Sequence, residues 1–157
     1  MNSHRSRKPV SQLKSHIGFW IRLVSNHVSH SFARKLNQSG VTVAEWVVLR
    51  EMYEHQDKTS PGHVSKLTGL TKGAISKLID RLLEKNLVLR EPSVNDRRYQ
   101  EIKLTRKAIA LVPDLATLAD QNDDEFFSAL TAKERRELVA ILQKIAMQKK
   151  LKAVPIA

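Results

Sequence analysis

Apolar residues at Leu13, Ile17, Trp20, Ile21, Val24, Val28, Phe32 and Leu36 recur at helical spacing. They predict one long helix that stops near Gly40, a natural C-terminal breaker. The polar punctuation then sets the next starts. "TVAE" reads as a capping box with Thr42 as N-cap and Glu45 three residues on, opening a helix whose apolar face carries Val43, Trp46, Val47 and Met52. Ser60 followed by Pro61 opens a short helix that ends at Gly69. Leu70 alone separates that glycine from Thr71, a further N-cap. The helix after Thr71 has Ile75, Leu78, Ile79 and Leu82 in one stripe and Gly73, Ser76, Lys77, Asp80 and Arg81 on the opposite face. Two helices joined by so short a turn have the helix-turn-helix layout.

The period then changes. Asn86 tolerates the left-handed conformation and closes the helix. Leu87 to Arg90 reads as a strand, Pro92 to Arg98 as a loop, and Tyr99 to Leu104 as the returning strand. Thr105 begins a long helix with Pro113 inside it, where a kink is expected. "TAKE" at Thr131 to Glu134 is a second capping box, opening a final helix with Leu138, Ile141, Leu142 and Ile145 on one face. The fold class expected is mainly α with a small β-hairpin wing: a winged helix-turn-helix with long N- and C-terminal helices.

Composition changes this picture in two places. The 157 residues contain no cysteine, so disulfides, thiolate zinc and thiol redox switching are excluded. The net charge of +11 calls for a polyanionic partner, because neutralised phosphates release condensed counterions. Between Pro61 and Lys107 there are eleven basic residues against five acids, so much of the excess falls on the helix pair and hairpin. The stretch after Pro113 is acidic, with Asp114, Asp120, Asp123, Asp124 and Glu125, and belongs away from phosphates. No apolar run is long enough to span a bilayer and no signal-peptide core follows the basic start, so a soluble, cytoplasmic protein working at the nucleoid is expected, with no membrane partner.

An α-helix fits the DNA major groove and reads bases best from its N-terminal end. That end supplies the candidate contacts Thr71, Lys72, Gly73, Ala74, Ser76 and Lys77, with Arg81 a turn further on. Asp80 is awkward beside phosphate and is expected to pair with Lys77 or Arg81, or to accept from a cytosine amino group. The hairpin tip carries "NDRR". A narrow minor groove attracts arginine, and an adjacent aspartate can fix one guanidinium by a bidentate pair. Asp96 is thus read as the orienting acid and Arg97 or Arg98 as the inserting base.

Other chemistry is thin. His27 and His30 lie three apart but lack a third ligand, so no metal and no cofactor is expected. His16, His55 and His63 read as surface or packing residues, and Trp20 and Trp46 as core packing rather than the border of a ligand cavity. No nucleophile–base grouping suggests an enzyme. The alternative to a DNA reader is a protein-interaction adaptor on the same scaffold, its basic face serving an acidic partner.

The run from Thr42 to Leu111 resembles the MarR family of bacterial and archaeal winged helix-turn-helix regulators. The resemblance rests on Trp46 and Leu49, on "GLTKGAISKLIDRL", and on "NDRR" followed by "IKLT". It implies a homodimer on double-stranded DNA at a palindromic operator, a repressor role, and release by a small aromatic or phenolic ligand. It also assigns DNA contact to the exposed recognition-helix positions and to Asp96 and Arg98. Two positions depart from the family pattern: Asn86 stands where glycine is usual, and Ala108 replaces a frequent glycine. A branch of the family senses oxidants through cysteine, which this chain lacks. The organisation expected is a flexible basic arm over 1–10, a DNA-binding domain over 41–105, and a dimerisation region formed by 11–40 and 106–150.

Overall fold

A computed structural model describes residues 7–157. The expected basic arm lies partly outside them; Arg7 and Lys8 are exposed and irregular. The elements are α1 (Ile17–Gln38), α2 (Val43–Glu54), β1 (Lys58–Thr59), α3 (Pro61–Thr68), α4 (Lys72–Glu84), β2 (Val88–Pro92), β3 (Gln100–Leu104), α5 (Arg106–Phe126) and α6 (Ala132–Gln148). The order and the winged helix-turn-helix architecture are those the residue pattern predicts.

Two features differ from that expectation. The N-terminal helix does not run from Leu13: a 3-10 turn over Leu13–Ser15 is separated from α1 by His16, which is extended at φ −87° and ψ 127° and gives no side-chain cap. The second difference is a third strand. β1 pairs antiparallel with β3, with Lys58 opposite Lys103 and Thr59 opposite Ile102, so the sheet order is β1-β3-β2. Two residues are too few to show a period of two. The strand exists because Leu104 donates back to Asp57 (2.9 Å) after α2 ends in two left-handed residues, Gln56 and Asp57.

The caps operate as their chemistry dictates. Both capping boxes form, at Thr42–Glu45 and Thr131–Glu134. Glu134 is held below the usual carboxylate range by the Thr131 backbone N–H and hydroxyl. Ser60, Thr71 and Thr105 each accept from the third backbone N–H of their helix. α4 closes on Asn86 at φ +55°, with Leu87 N–H donating to the Leu82 carbonyl at 3.0 Å, the closure characteristic of a left-handed residue one past the cap. Asparagine therefore does at this position what glycine does elsewhere.

The core is aliphatic. Leu36, Leu49, Met52, Leu82, Ala108 and Leu115 are wholly buried, joined by Val48, Val64, Ile75, Leu78, Ile102 and Leu104. Trp46 is buried and meets Phe32 edge to face, with centroids 6.3 Å apart. Trp20 is not core: it is 49% exposed, stacks edge-on with Phe19, and donates its indole N–H to the Lys14 carbonyl. α5 packs on α1 and α2, tying the outer helices to the domain. That contact is pinned by polar groups. Buried Asn122 donates to the Val28 carbonyl (3.2 Å) and accepts from Lys35 (3.1 Å), which also reaches Glu125 at 2.6 Å.

α6 stands apart from all this. None of its residues is buried, although Leu138, Val139, Ile141, Leu142 and Ile145 are all apolar. Its start is anchored by Arg135, which donates to the Phe127 carbonyl and to Asp124.

Candidate nucleic-acid interface

Helix α4 is sided as its sequence predicts. Ile75, Leu78, Ile79 and Leu82 are buried, whereas Thr71, Lys72, Gly73, Ser76, Lys77, Asp80 and Arg81 are exposed and Ala74 is half-buried. The turn before it is stiff. Gly69 sits at φ +70°, Ser65 donates to the Leu70 carbonyl (3.1 Å), and Leu70 N–H donates to the Thr68 hydroxyl (3.3 Å). Gly73 meets nothing within 4 Å where a Cβ would stand, so a ligand approaching this end of α4 encounters bare backbone.

The wing is also tied by local hydrogen bonds. Ser93 and Tyr99 bridge its base through Ser93 N–H to the Tyr99 carbonyl (2.8 Å), and the Ser93 hydroxyl donates to Glu101 (3.0 Å). At the tip Asp96 holds Arg98 in a two-pronged pair, Nε–Oδ1 3.1 Å and Nη2–Oδ2 2.8 Å, and accepts the Arg98 backbone N–H at 3.0 Å. The Arg98 side chain remains 85% exposed. These bonds from Arg98 hold the Asp96 carboxyl below its ordinary range, and the carboxylate in turn raises the guanidinium. Both therefore stay charged at neutral pH. The structure thus selects between the two arginines for the pairing role: Arg98 is fixed, and Arg97 is exposed without an acid partner among the described residues.

Several basic residues counted toward the charged face are occupied elsewhere. Asp80 pairs neither with Lys77 nor with Arg81 but with Arg90 of the wing, at 3.0 Å, because the hairpin folds back beside α4. Arg81 leans toward Glu45, at 3.5 Å. Lys107 donates to the Lys85 carbonyl at 2.9 Å. Lys85 reaches Glu45 at 2.7 Å and the Gly40 carbonyl at 2.8 Å. Glu45 is fully buried. Burial alone would raise its pKa, but the hydrogen bond from Lys85, the Thr42 backbone N–H and the Lys85 charge outweigh it, and the carboxyl lies below its ordinary value. This ion pair was not foreseen from the capping box alone; the Lys85 partner lies forty positions away. Lys66, Lys72, Lys77 and Arg97 have no acidic partner within ion-pair distance among the described residues.

Between α3, α4 and the wing lies a cavity of about 630 Å³. Its walls include Lys72, Ile75, Ser76, Ile79, Arg90 and Ile102. Arg90 reaches this wall only because the hairpin folds back against α4 and pairs with Asp80.

Residues 39–98 match the model of the MarR family. A mutant of MarR from E. coli, solved in complex with operator DNA, superposes with a TM-score of 0.72 at 27% identity, covering 86% of this chain and 99% of that one. BpsR of Bordetella bronchiseptica, whose DNA binding is regulated by 6-hydroxynicotinic acid, superposes with a TM-score of 0.74 at 25% identity, over 88% and 98% of the two chains. An organohalide-sensing transcriptional regulator bound to 2,4-dichlorophenol shares the fold at a TM-score of 0.76 and 15% identity, over 94% and 89%. The matched domain spans the helix pair and the wing up to Arg98, and the likeness in fold extends over the flanking helices; over these residues the chain is similar to the MarR family of winged helix-turn-helix transcription regulators.

Proposed function

We propose that two copies of this chain bind a palindromic operator as a repressor and are released from it by a small aromatic ligand. One observation carries the DNA reading. The exposed end of α4, with free Lys72 and Lys77, lies in the same domain as a wing whose Arg98 is already aimed by Asp96. Thr71, Lys72, Gly73, Ala74, Ser76 and Lys77 enter the major groove. Arg81, drawn toward Glu45, reaches the phosphate at the groove edge with the donors Glu45 does not take. Arg98 enters the adjacent minor groove with Asp96 holding its angle, and Arg97 meets the backbone beside it. This division follows the general rule that cations position the protein and base-edge contacts specify the site.

The dimer reading rests on α6. An amphipathic helix with no buried residue leaves its apolar stripe in water, and a second copy of the chain supplies the missing surface. Residues 11–40 and 106–150 form that dimerisation region, flanking the DNA-binding unit over 41–105. The protein acts in the cytoplasm, at the nucleoid.

The ligand reading rests on the cavity beside α4. Ile75, Ile79 and Ile102 accept an apolar ring, and Lys72 and Arg90 accept its anionic group. A ligand there occupies Lys72 and Ser76, which DNA also needs, so it prefers the unbound protein and shifts the population toward it. The test is fluorescence anisotropy on duplexes selected from genomic fragments, with competitor DNA, a salt series, and added 6-hydroxynicotinic acid or 2,4-dichlorophenol. Sequence-selective binding supports the reading. Salt-sensitive binding with no preference among duplexes overturns it in favour of an adaptor with an acidic partner.

A further inference from the structure

The last helix ends in an unusual way, and the chain beyond it returns to the helix-turn-helix. Lys150 adopts φ +54°, a left-handed conformation that a lysine seldom takes. Around it Lys150 N–H donates to the Met147 carbonyl (3.1 Å) and Leu151 N–H to the Ala146 carbonyl (2.9 Å), closing α6 in a sharp turn. The redirected chain then docks. Val154 N–H donates to the Leu67 carbonyl of α3 at 3.0 Å. Ala153 packs over Gly69, its Cβ lying 3.7 Å from where a Gly69 Cβ would stand. Val154 and Ile156 are half-buried, while Leu151, Lys152, Ala153 and Pro155 are exposed.

This docking holds the segment that follows Lys149, Lys150 and Lys152 against Leu67 and Gly69, just before Thr71 and Lys72. All three lysines are exposed, and among the described residues none has a carboxylate within ion-pair distance. Lys66 and Lys72 are likewise exposed without such a partner, so two segments some eighty residues apart offer five unspent lysines on either side of the docking contact. We propose that residues 149–157 are a third DNA-contacting element, clamped on the α3–α4 turn so that Lys149, Lys150 and Lys152 meet phosphates flanking the groove that α4 reads. The inference rests on the DNA-binding reading above.

The full chain, with its operator duplex, tests it through the slope of log affinity against log salt. Each phosphate contact contributes about 0.9 to that slope. Replacing Lys149, Lys150 and Lys152 together by Gln is expected to reduce the slope by at least that amount while the thermal midpoint stays put. Val154→Pro removes the docking N–H but no charge, and is expected to reduce the slope as well. Lys72→Gln serves as the control for the reading itself. If Lys72→Gln flattens the slope and the triple variant does not, the tail proposal fails while the DNA reading stands. If the triple variant flattens it and Val154→Pro does not, the clamp is wrong. If the unmodified chain shows no duplex binding, the underlying reading fails first.

Discussion

At the scale of single residues, two acidic side chains have opposite consequences. Asp96 is at the surface and organises Arg98; Glu45 is buried and organises the domain. Asp96→Ala should leave the thermal midpoint unchanged, because exposed ion pairs contribute little to stability. It should still weaken operator binding, since the guanidinium loses its fixed angle. Arg98→Ala should go further and flatten the salt dependence by about one unit if the arginine meets one phosphate. A salt series on both variants separates the aiming role from the contact itself. Glu45→Gln acts on the fold. Removing one partner of a buried pair costs about 3–5 kcal/mol, and because Lys85 still reaches solvent a loss of about 2 kcal/mol is expected at neutral pH. The Glu45 pKa is lowered on folding, so its contribution is complete above the ordinary value of 4.5 and disappears as pH falls through the depressed one. Urea melts of wild type and variant should therefore differ near pH 7 and converge in strong acid.

At the scale of elements, local signals were strong wherever a cap or a breaker stood. Thr42, Ser60, Thr71, Thr105 and Thr131 all cap the helices they open, and Gly40, Gly69 and Asn86 all sit at positive φ. Each of these effects depends on the residue and its neighbours within a turn, which is why the chain displays them. Thr71→Ala should cost about 1 kcal/mol by freeing the Ala74 N–H, and should loosen the end of α4 proposed to enter the groove. Gly69→Ala should cost about 1–2 kcal/mol, because an L-residue resists φ +70°. Its Cβ would also touch the docked tail. Denaturation curves give the stability term for both, and anisotropy shows whether DNA affinity falls beyond it. The elements that local signals did not show were those made by partners: β1 exists only against β3, and the Asp80–Arg90 pair only because the wing lies against α4.

At the scale of the whole molecule, the unsatisfied feature is apolar surface on the outer helices. Ile17, Trp20, Ile21 and Val24 of α1 and Leu138, Ile141, Leu142 and Ile145 of α6 are each more than a third exposed. Periodicity placed these residues on one face of each helix but could not say what covers the face. Trp20 shows the difference: read from spacing it belongs to a core, yet in the single chain it remains half in water. Leu142→Glu should convert the proposed dimer to a monomer, read by sedimentation at micromolar concentrations. It should lower operator affinity sharply even though Leu142 lies far along the chain from α4, because one reading head alone loses the second half-site. An unchanged sedimentation coefficient would place the subunit contact elsewhere. Among the described residues no helix is long and apolar enough to cross a membrane.

The sequence by itself determined the helix starts and stops, the two-helix turn, the wing and the polar outer face of α4, because caps, breakers and periodicity act over a few residues. Only the tertiary structure decided which charges are spent and which are free. Glu45 takes Lys85 and draws Arg81, Asp80 takes Arg90, Asp96 takes Arg98, and the end of α6 returns to α3. The longer of these pairings depend on distances through space between residues far apart in the chain. Electrostatic attraction follows that separation in space, and the order of residues along the chain does not record it.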